Sequence, residues 1–444
     1  MIGGKDIMRR MVLLLLMMSV VFVPAASADN IIAKGELLTL ERALGIALKK
    51  HPNMLAGQGE VDVNLAKKGQ AQAGYWPTLD AAAGYARYEP AGSQTGSTAM
   101  PSGTKTHIPN TEWQYSGSAS AKQTIFDFGN TWTNVNIQKQ NIEASKADLE
   151  NTEEQIILNV KQAYFNLLRV KRNRTVAEET VNQFRQHLEQ AKAFYEVGTK
   201  PKFDVTKAEV DLSNAKLNLI AAENSVRLAV VSLNNAMGVP DAPEYLIEDS
   251  LSFSKYEVGL EEAVKTAYEK RPELKALTAR RIAAEKSVYY AKTGYFPILT
   301  GNASWSWAGK KFDIYDGSWS AGMTLSIPIF SGFLTKYQVS EAKANLNILA
   351  ANEEALRQNV LLEVQQNYLS LKESEERIVT AEITVRQAKE NHEIASGRYA
   401  AGVGSPIEVT DAEVVLSNAK ASHIQALYDY KVAAASLEKA MGVR

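Results

Sequence analysis

The chain has 444 residues, with 49 basic and 50 acidic side chains, no cysteine and a mean hydropathy of −0.22. This composition excludes a polytopic protein built from apolar helices, and the balanced charge, without any Lys/Arg run, argues against nucleic-acid binding. Without cysteine there is no disulfide, thiolate metal site, cysteine nucleophile or lipid-accepting cysteine, so stability must come from packing.

The beginning of the chain has the pattern of an export signal. Basic residues within the first ten positions precede an apolar run over residues 11–23, and the small residues Ala26-Ser27-Ala28 follow. This pattern predicts a signal peptide over residues 1–28, cleaved before Asp29. A membrane anchor is disfavoured, because a spanning helix needs about 20 apolar residues. No later stretch is long enough, so any further membrane contact is expected to involve strands.

The rest of the chain is an internal duplication. At an offset of 220, Leu38–Ala56 matches Val258–Ala276. At an offset of 204, Ala191–Val239 and Ala395–Val443 are identical at 22 of 49 positions. We therefore expect two similar repeats, at residues 29–239 and 258–444. The linker between them, residues 240–257, is expected to lie in the equatorial region of the molecule.

Each repeat contains one very long helical segment. Neither Gly nor Pro occurs in the 68 residues from Asn130 to Val197 or in the 64 residues from Phe333 to Ser396. At 1.5 Å per residue, each helix would extend about 100 Å. A shorter helix before the strands and a return helix after the long one are expected to stack end to end against it. In the first repeat, the long helix is predicted at 130–197, the return helix at 201–237 and the short helix at 53–75. In the second repeat, the long helix is predicted at 333–397, the return helix at 405–441 and the short helix at 273–294.

Between the short and long helices, the period of the apolar residues changes to two. Odd positions from Trp113 to Ile125 are mostly apolar, whereas the even positions are Gln, Ser, Lys and Thr. This alternation is typical of a strand with one wet face. The pattern recurs over 319–329. One further strand is expected before each of these two alternating segments, at 78–88 and at 298–308. The sequence thus predicts two β-hairpins, at about 77–128 and 297–330.

The strands are predicted to lie in a membrane. Their length of 10 to 15 residues, with aromatic residues near both ends, is typical of a transmembrane β-barrel. A soluble sandwich with buried aromatics remains the alternative from periodicity alone. The uniformly polar opposite face and the polar, Gly/Ser-rich loop Glu89–Glu112 favour the barrel. Four strands cannot close a barrel, so several copies are required; two give 8 strands with a filled interior, and three give 12 with a lumen.

Several motifs resemble the TolC-type outer-membrane factor family. They are the paired Gly74-Tyr75-Trp76-Pro77 and Gly294-Tyr295-Phe296-Pro297, the segments Ile125–Gly129 and Pro328–Gly332 before the long helices, and the turns Tyr195–Val205 and Tyr399–Val409. The resemblance implies a mainly α-helical homotrimer with four β-strands per protomer in a 12-stranded barrel, a long coiled-coil α-barrel and a mixed α/β equatorial region. It also implies a non-enzymatic exit duct for efflux or type I secretion, in contact with outer-membrane lipid, a periplasmic adaptor and an inner-membrane pump. Unlike many relatives, this chain has no lipid-accepting Cys, and no acyl anchor is expected.

The two turns after the long helices are the first candidate site. In the family they form the end that meets the adaptor. The family resemblance therefore assigns six residues of these turns to adaptor docking: Gly198, Thr199, Asp204, Gly402, Ser405 and Glu408. Turn chemistry alone explains the same residues, since Gly permits positive φ and an acidic side chain stabilises a helix start.

A second candidate site consists of two acidic residues upstream of the second turn. Glu390 and Glu393 are three residues apart and share a helix face. Because family channels narrow near this end, a trimer could carry two rings of three carboxylates that favour cations. A solvated outer face is the alternative explanation.

Catalytic and metal-binding motifs are not found in the sequence. His51, His107, His187, His392 and His423 have no metal-ligand spacing, and we expect them at the surface. We therefore expect no enzyme activity, cofactor or metal. A periplasmic coiled-coil scaffold without a barrel is the alternative function.

Overall fold

The computed structural model describes residues 32–88, 112–309 and 317–443. The predicted signal peptide, most of the loop Glu89–Glu112 and His107 lie outside these ranges. The described helices are α1 (Leu40–Lys50), α2 (Pro52–Gln72), α3 (Asn130–Glu196), α4 (Lys202–Ala236), α5 (Leu260–Lys270), α6 (Pro272–Lys292), α7 (Leu334–Ala400) and α8 (Pro406–Met441). The strands are β1 (Leu37–Leu38), β2 (Thr78–Tyr88), β3 (Glu112–Phe126), β4 (Leu246–Ile247), β5 (Ile298–Gly309) and β6 (Ser318–Ser326).

The long helices α3 and α7 have 67 residues each, which corresponds to about 100 Å. Both begin directly after residues with positive φ, so the chain turns sharply from the strand into the helix. Helix α7 passes through Gly397 and ends at Ala400, three residues beyond the predicted end. The helix stops here because Gly402, two residues later, has a φ of +80° and donates its N–H to the Tyr399 carbonyl at 2.9 Å.

Four long strands form one antiparallel sheet in the order β2-β3-β5-β6. Trp305 pairs with Trp319, so these apolar side chains share one face, while Ser304 and Ser320 pair on the other with their hydroxyls 2.9 Å apart. Strand β6 ends at Ser326, short of the predicted end at Ile329, because Pro328 has no N–H for a ladder bond. Within the described residues, the outer edges of β2 and β6 have no strand neighbour.

Six of the described helices, α2, α3, α4, α6, α7 and α8, form a single layer. In the half of the layer that lies away from the sheet, the neighbours are α4, α3, α8 and α7, in that order; in the other half they are α2, α3, α6 and α7. Helices α3 and α8 are therefore interior to the layer, whereas α4 and α7 are its edges. In the parts of the chain that are described, no helix is long and apolar enough to cross a membrane.

The short and return helices of each repeat meet end to end. Gly238, after α4, lies against the backbone of His51, where α2 begins, and Gly442, after α8, lies against Arg271, where α6 begins. We name these contacts the first and second joints. Both helices of each pair pack on the same long helix, α2 and α4 on α3, and α6 and α8 on α7.

The main apolar core lies near the joints and contains residues of both repeats. The periodic residues Ile156, Val160 and Leu167 of α3 are buried there, as are Val360, Val364 and Leu371 of α7. The linker contributes β4, which pairs in parallel with β1. The buried Tyr164 hydroxyl donates to the carbonyls of Leu38 and Glu248 at 3.2 and 2.9 Å and so fixes this small sheet to α3.

Candidate functional site at the helical turns

The turns after α3 and α7 lie together at the end of the layer remote from the sheet. We name this end the tip. Lys200 connects the turns, because its Nζ donates to the Gly404 carbonyl at 3.3 Å. Both candidate turns are therefore part of one surface in the protomer.

In the first turn, Gly198 has a φ of +77° and its N–H donates to the Tyr195 carbonyl at 2.9 Å. The Thr199 hydroxyl donates to the Phe194 carbonyl at 2.9 Å, which ties the turn back to α3. Gly198 and Thr199 are exposed, whereas Asp204 is buried with 5% exposure. The Asp204 carboxylate therefore faces the helices.

The second turn has a similar course with different polar contacts. Gly402 has a φ of +80°, and the half-buried Ser405 accepts a hydrogen bond from the Ile407 N–H at 3.2 Å as the N-cap of α8. Glu408 is exposed and its carboxylate lies 3.4 Å from Arg398 Nε. An exposed ion pair of this kind contributes little to stability.

Tyr399 lies beneath both turns and is fully buried. Its ring contacts the rings of Phe194 and His187, with centroids 5.6 and 4.8 Å apart, and Lys200 Nζ lies 5.6 Å from its centroid. Its hydroxyl is buried and has no hydrogen-bond partner among the residues that the structure describes. Burial, together with the nearby charge of Asp204, raises the pKa of Tyr399, so the phenol stays neutral at physiological pH.

The expectation that His187 lies at the surface was wrong. Its side chain is buried, with 6% exposure, between α3 and α7. A lone histidine among helical residues gives no sequence signal for this position, because burial depends on which helices pack together. His392 is also partly covered, and its Nε2 lies 2.9 Å from the buried Glu413 carboxylate.

Sequence reasoning also missed an apolar surface at the tip. Four large apolar side chains are exposed beside the turns: Val197, Phe203, Val403 and Ile407. Their position next to the two turn glycines was the available signal. Exposed apolar groups around a polar turn are typical of a protein-binding surface.

Glu390 and Glu393 are both exposed in the protomer. Both belong to α7, at the edge of the layer, and Glu393 lies 3.9 Å from Lys389. Within the described ranges, no group of three His, Asp or Glu side chains is arranged to hold a metal ion.

Comparison with known proteins gives consistent matches. The family described as "Outer membrane efflux protein" matches residues 43–239 and 263–443. The outer membrane protein TolC of Escherichia coli K12 is 24% identical over 345 residues, which cover 74% of this chain and 69% of TolC. Among solved structures, CusC superimposes with a TM-score of 0.79 at 18% identity, covering 96% of both chains. VceC of Vibrio cholerae superimposes with a TM-score of 0.74 at 20% identity, covering 91% of this chain and 96% of VceC.

Proposed function

Since this chain belongs to the outer membrane efflux protein family, we propose that three copies form an exit duct in the outer membrane of a Gram-negative bacterium. The duct passively conducts substrates that an inner-membrane pump and a periplasmic adaptor deliver. The chain reaches the outer membrane by a cleaved signal peptide and carries no acyl anchor. The observation that carries this proposal is that both the sheet and the helical layer end in open edges.

The open sheet edges require neighbours in a membrane. Unpaired N–H and C=O groups cannot face hydrocarbon, so β2 of one copy must pair with β6 of another. Three copies provide 12 strands, which leave room for a lumen. The Ser-, Thr- and Gln-rich face then lines the water-filled interior, and the face with Trp305 and Trp319 contacts lipid.

The helical layer has matching apolar edges. On α4, large exposed side chains lie opposite the face that packs on α3: Val210, Leu217, Ile220, Leu228 and Val231. On α7, the exposed residues with seven-residue spacing face away from α8: Ile348, Leu362, Leu369 and Ile383. Such stripes are typical of coiled-coil contacts. The α4 edge of one copy therefore packs on the α7 edge of the next, in the same rotational sense as β2 on β6.

The tip is the docking end for the adaptor. The exposed Gly198, Thr199, Gly402 and Glu408 and the apolar residues beside them form its surface, while Asp204 and Ser405 shape the turns from within. Helices of about 100 Å hold this surface far from the membrane, where an adaptor can reach it.

Glu390 and Glu393 form the entrance rings near the tip. Three copies of each carboxylate around a narrow lumen attract cations. Replacing both residues by Gln is expected to reduce the cation preference of the duct, measured as reversal potential across planar bilayers under a salt gradient. An unchanged reversal potential would remove this role.

The assembly is tested by a charge on the α4 edge. Leu217→Asp places a carboxylate in the proposed contact between copies, whereas Asn218→Asp places it on the adjacent exposed position outside the stripe. We expect Leu217→Asp to shift detergent-extracted protein from trimer to protomer in light scattering, and Asn218→Asp to remain trimeric. The native protein should fractionate with the outer membrane. Monomeric native protein that needs no detergent would instead support a periplasmic scaffold.

A further inference from the structure

The apolar side of the four-stranded sheet carries a single charged residue among the strand residues that the structure describes. This side consists of alternate residues, which include Trp113 and Trp305. Arg87 of β2 belongs to it, because Arg87 pairs directly with Trp113 in the register of β2 and β3. Lys122 lies an odd number of residues from Trp113 along β3 and therefore belongs to the opposite, polar side. One guanidinium is thus placed on the side that is proposed to contact lipid.

Arg87 lies at the end of the sheet that is remote from the helices. Strand β2 has 11 residues, and Arg87 is the last but one. At about 3.3 Å per residue and a tilt of about 40°, Arg87 lies about 23 Å above the start of the strand. The apolar band of a membrane barrel is about 25 Å tall, so this guanidinium is at its outer boundary. A cation is tolerated at this depth, whereas at the midplane it would be strongly destabilising.

Aromatic rings hold the guanidinium in place. Arg87 Cζ lies 5.4 Å from the centroid of the Trp113 ring. Tyr85 stacks on the same ring, with the centroids 4.8 Å apart and an angle of 4° between the planes. A cation–π contact positions a cation but supplies no acceptor oxygen, so the N–H donors of Arg87 remain available to an anion.

The exposed arginines of the helical part have a different environment. Arg172 pairs with Asp249 through two hydrogen bonds of 2.9 Å, and Arg281 lies 2.8 Å from Glu353. Within the described part of the chain, no carboxylate pairs with Arg87. Its positive charge is therefore not neutralised by these residues and can attract an external anion.

The second repeat has no counterpart of this cation. The duplication offsets place Trp307 at the position of Arg87 and Gly317 at that of Trp113. The Trp305 indole lies directly against Gly317, so aromatic surface alone occupies this level in the second repeat. A sheet end of this kind can therefore be built without a cation, and Arg87 is an addition specific to the first repeat.

The surface between Arg87 and the middle of the sheet suits acyl chains. A groove of about 520 Å³ lies on the apolar side, with Ala81 and Ala119 among its residues. Leu79 and Trp319 border it and are 78% and 79% exposed. A lipid whose headgroup lies at Arg87 would place its acyl chains against this apolar surface, whereas a free anion would gain nothing from it.

We propose that Arg87, held by Trp113, binds the phosphate group of a lipid in the outer leaflet of the membrane, so that a trimer holds three such lipids. The inference rests on the proposed function, which places the helices in the periplasm and the Arg87 end of the sheet outward. The outer leaflet of a Gram-negative outer membrane carries phosphorylated glycolipids. The N–H fork of a guanidinium fits phosphate oxygens, and aromatic belts lie at headgroup level, so charge, shape and depth agree.

Native mass spectrometry of the full-length protein in detergent tests this site without any need for conduction. Wild type and Arg87→Gln are titrated with phosphorylated lipid A, and the lipid retained per chain is measured. We expect about fivefold weaker binding by Arg87→Gln, which corresponds to about 1 kcal/mol for one basic residue at an anionic lipid surface. Dephosphorylated lipid A should bind equally to both proteins. Equal binding of phosphorylated lipid A to both would overturn the proposal.

Two control variants and a competitor sharpen the test. Lys122→Gln removes a cation from the polar side of the sheet and should bind lipid A as wild type does. If Lys122→Gln lost as much binding as Arg87→Gln, overall charge would govern binding and the site would be disproved. Arg87→Met replaces the Gln variant if that variant does not fold. Excess inorganic phosphate should leave the lipid bound; its displacement would identify a site for free anions and contradict a lipid site.

Conductance measured on the same preparations separates this inference from the proposed function. If lipid A binding depends on Arg87 but planar bilayers show no conductance, the lipid site stands and the duct function fails. If the protein conducts while its lipid binding does not depend on Arg87, only the lipid site fails.

Discussion

The first and second joints have the same backbone geometry but different side chains. In each, a glycine with positive φ follows the return helix and lies against the N-cap residue of the short helix: Gly238 (+72°) against His51, and Gly442 (+65°) against Arg271. The duplication therefore keeps the close backbone approach. What differs is how the polar groups around it are satisfied.

The second joint is ionic and the first is neutral. Arg271, with a side chain only 3% exposed, contacts Glu273 at 2.9 Å and Glu363 at 2.6 Å, and Lys439 lies 3.8 and 3.6 Å from the same two carboxylates. The duplication offsets place His51, Asn53, Asn159 and Asn235 at the equivalent positions. There the His51 Nδ1 accepts a hydrogen bond from the Asn53 N–H at 3.2 Å and acts as a simple helix cap. The comparison indicates that the close backbone contact forms the joint in both repeats, and that the ion pairs are an additional contact in the second joint.

Substitutions that disturb the backbone contact at the joints are therefore expected to reduce the stability of the protein most. A Cβ at Gly442 would lie 2.9 Å from the Arg271 nitrogen, and one at Gly238 would lie 2.8 Å from the His51 Cα. Both positions also have a φ that L-residues rarely adopt. We expect Gly442→Ala and Gly238→Ala each to destabilise the protein by about 2–4 kcal/mol, measured as a lower midpoint of thermal unfolding by circular dichroism.

The matched control is a helical glycine without a close neighbour. A Cβ at Gly45, in α1, would meet nothing within 4 Å. Gly45→Ala should leave the midpoint unchanged or raise it, since Ala is the better helix former by about 1 kcal/mol. If the joint variants matched this control, the close approach at the joints would have no energetic role. If only one of them unfolded early, the two joints would differ in their backbone packing as well.

The contrast between local backbone features and contacts of distant residues also explains which parts of the fold could be predicted from the sequence. Helix and strand positions depend on local signals, such as the Gly- and Pro-free run of α3 or the alternation in β3, and their bounds agree with the structure to within a few residues. Strands β1 and β4 have only two residues each and give no periodic signal. The end of β6 was missed because the alternation of side chains continues past Ser326, where Pro328 interrupts the ladder.

For the candidate site, the turns were predictable and their contacts were not. The glycines and caps at residues 198 and 402 are local features that the duplication repeats. The burial of Asp204 and His187 depends instead on the packing of α3 against α7 and α8, which no spacing within one helix encodes. The ionic group at Arg271 was missed for the same reason, because Glu363 lies 92 residues away along the chain.

Removing the ion pairs of the second joint is expected to reduce the stability of the protein less than disturbing its backbone contact. Arg271→Gln removes the buried cation and leaves the carboxylates of Glu273 and Glu363 with only Lys439 nearby, although these carboxylates are 26% and 38% exposed. Because water screens them in part, we expect a loss of about 1–3 kcal/mol, less than for Gly442→Ala and measured by the same unfolding midpoint. His51→Gln, the equivalent change in the first joint, removes only a cap and should cost about 0.5–1 kcal/mol. Equal losses from the two variants would contradict the distinction between an ionic and a neutral joint. A loss from Arg271→Gln as large as that from Gly442→Ala would mean that the ion pairs, and not the backbone contact, hold the second joint together.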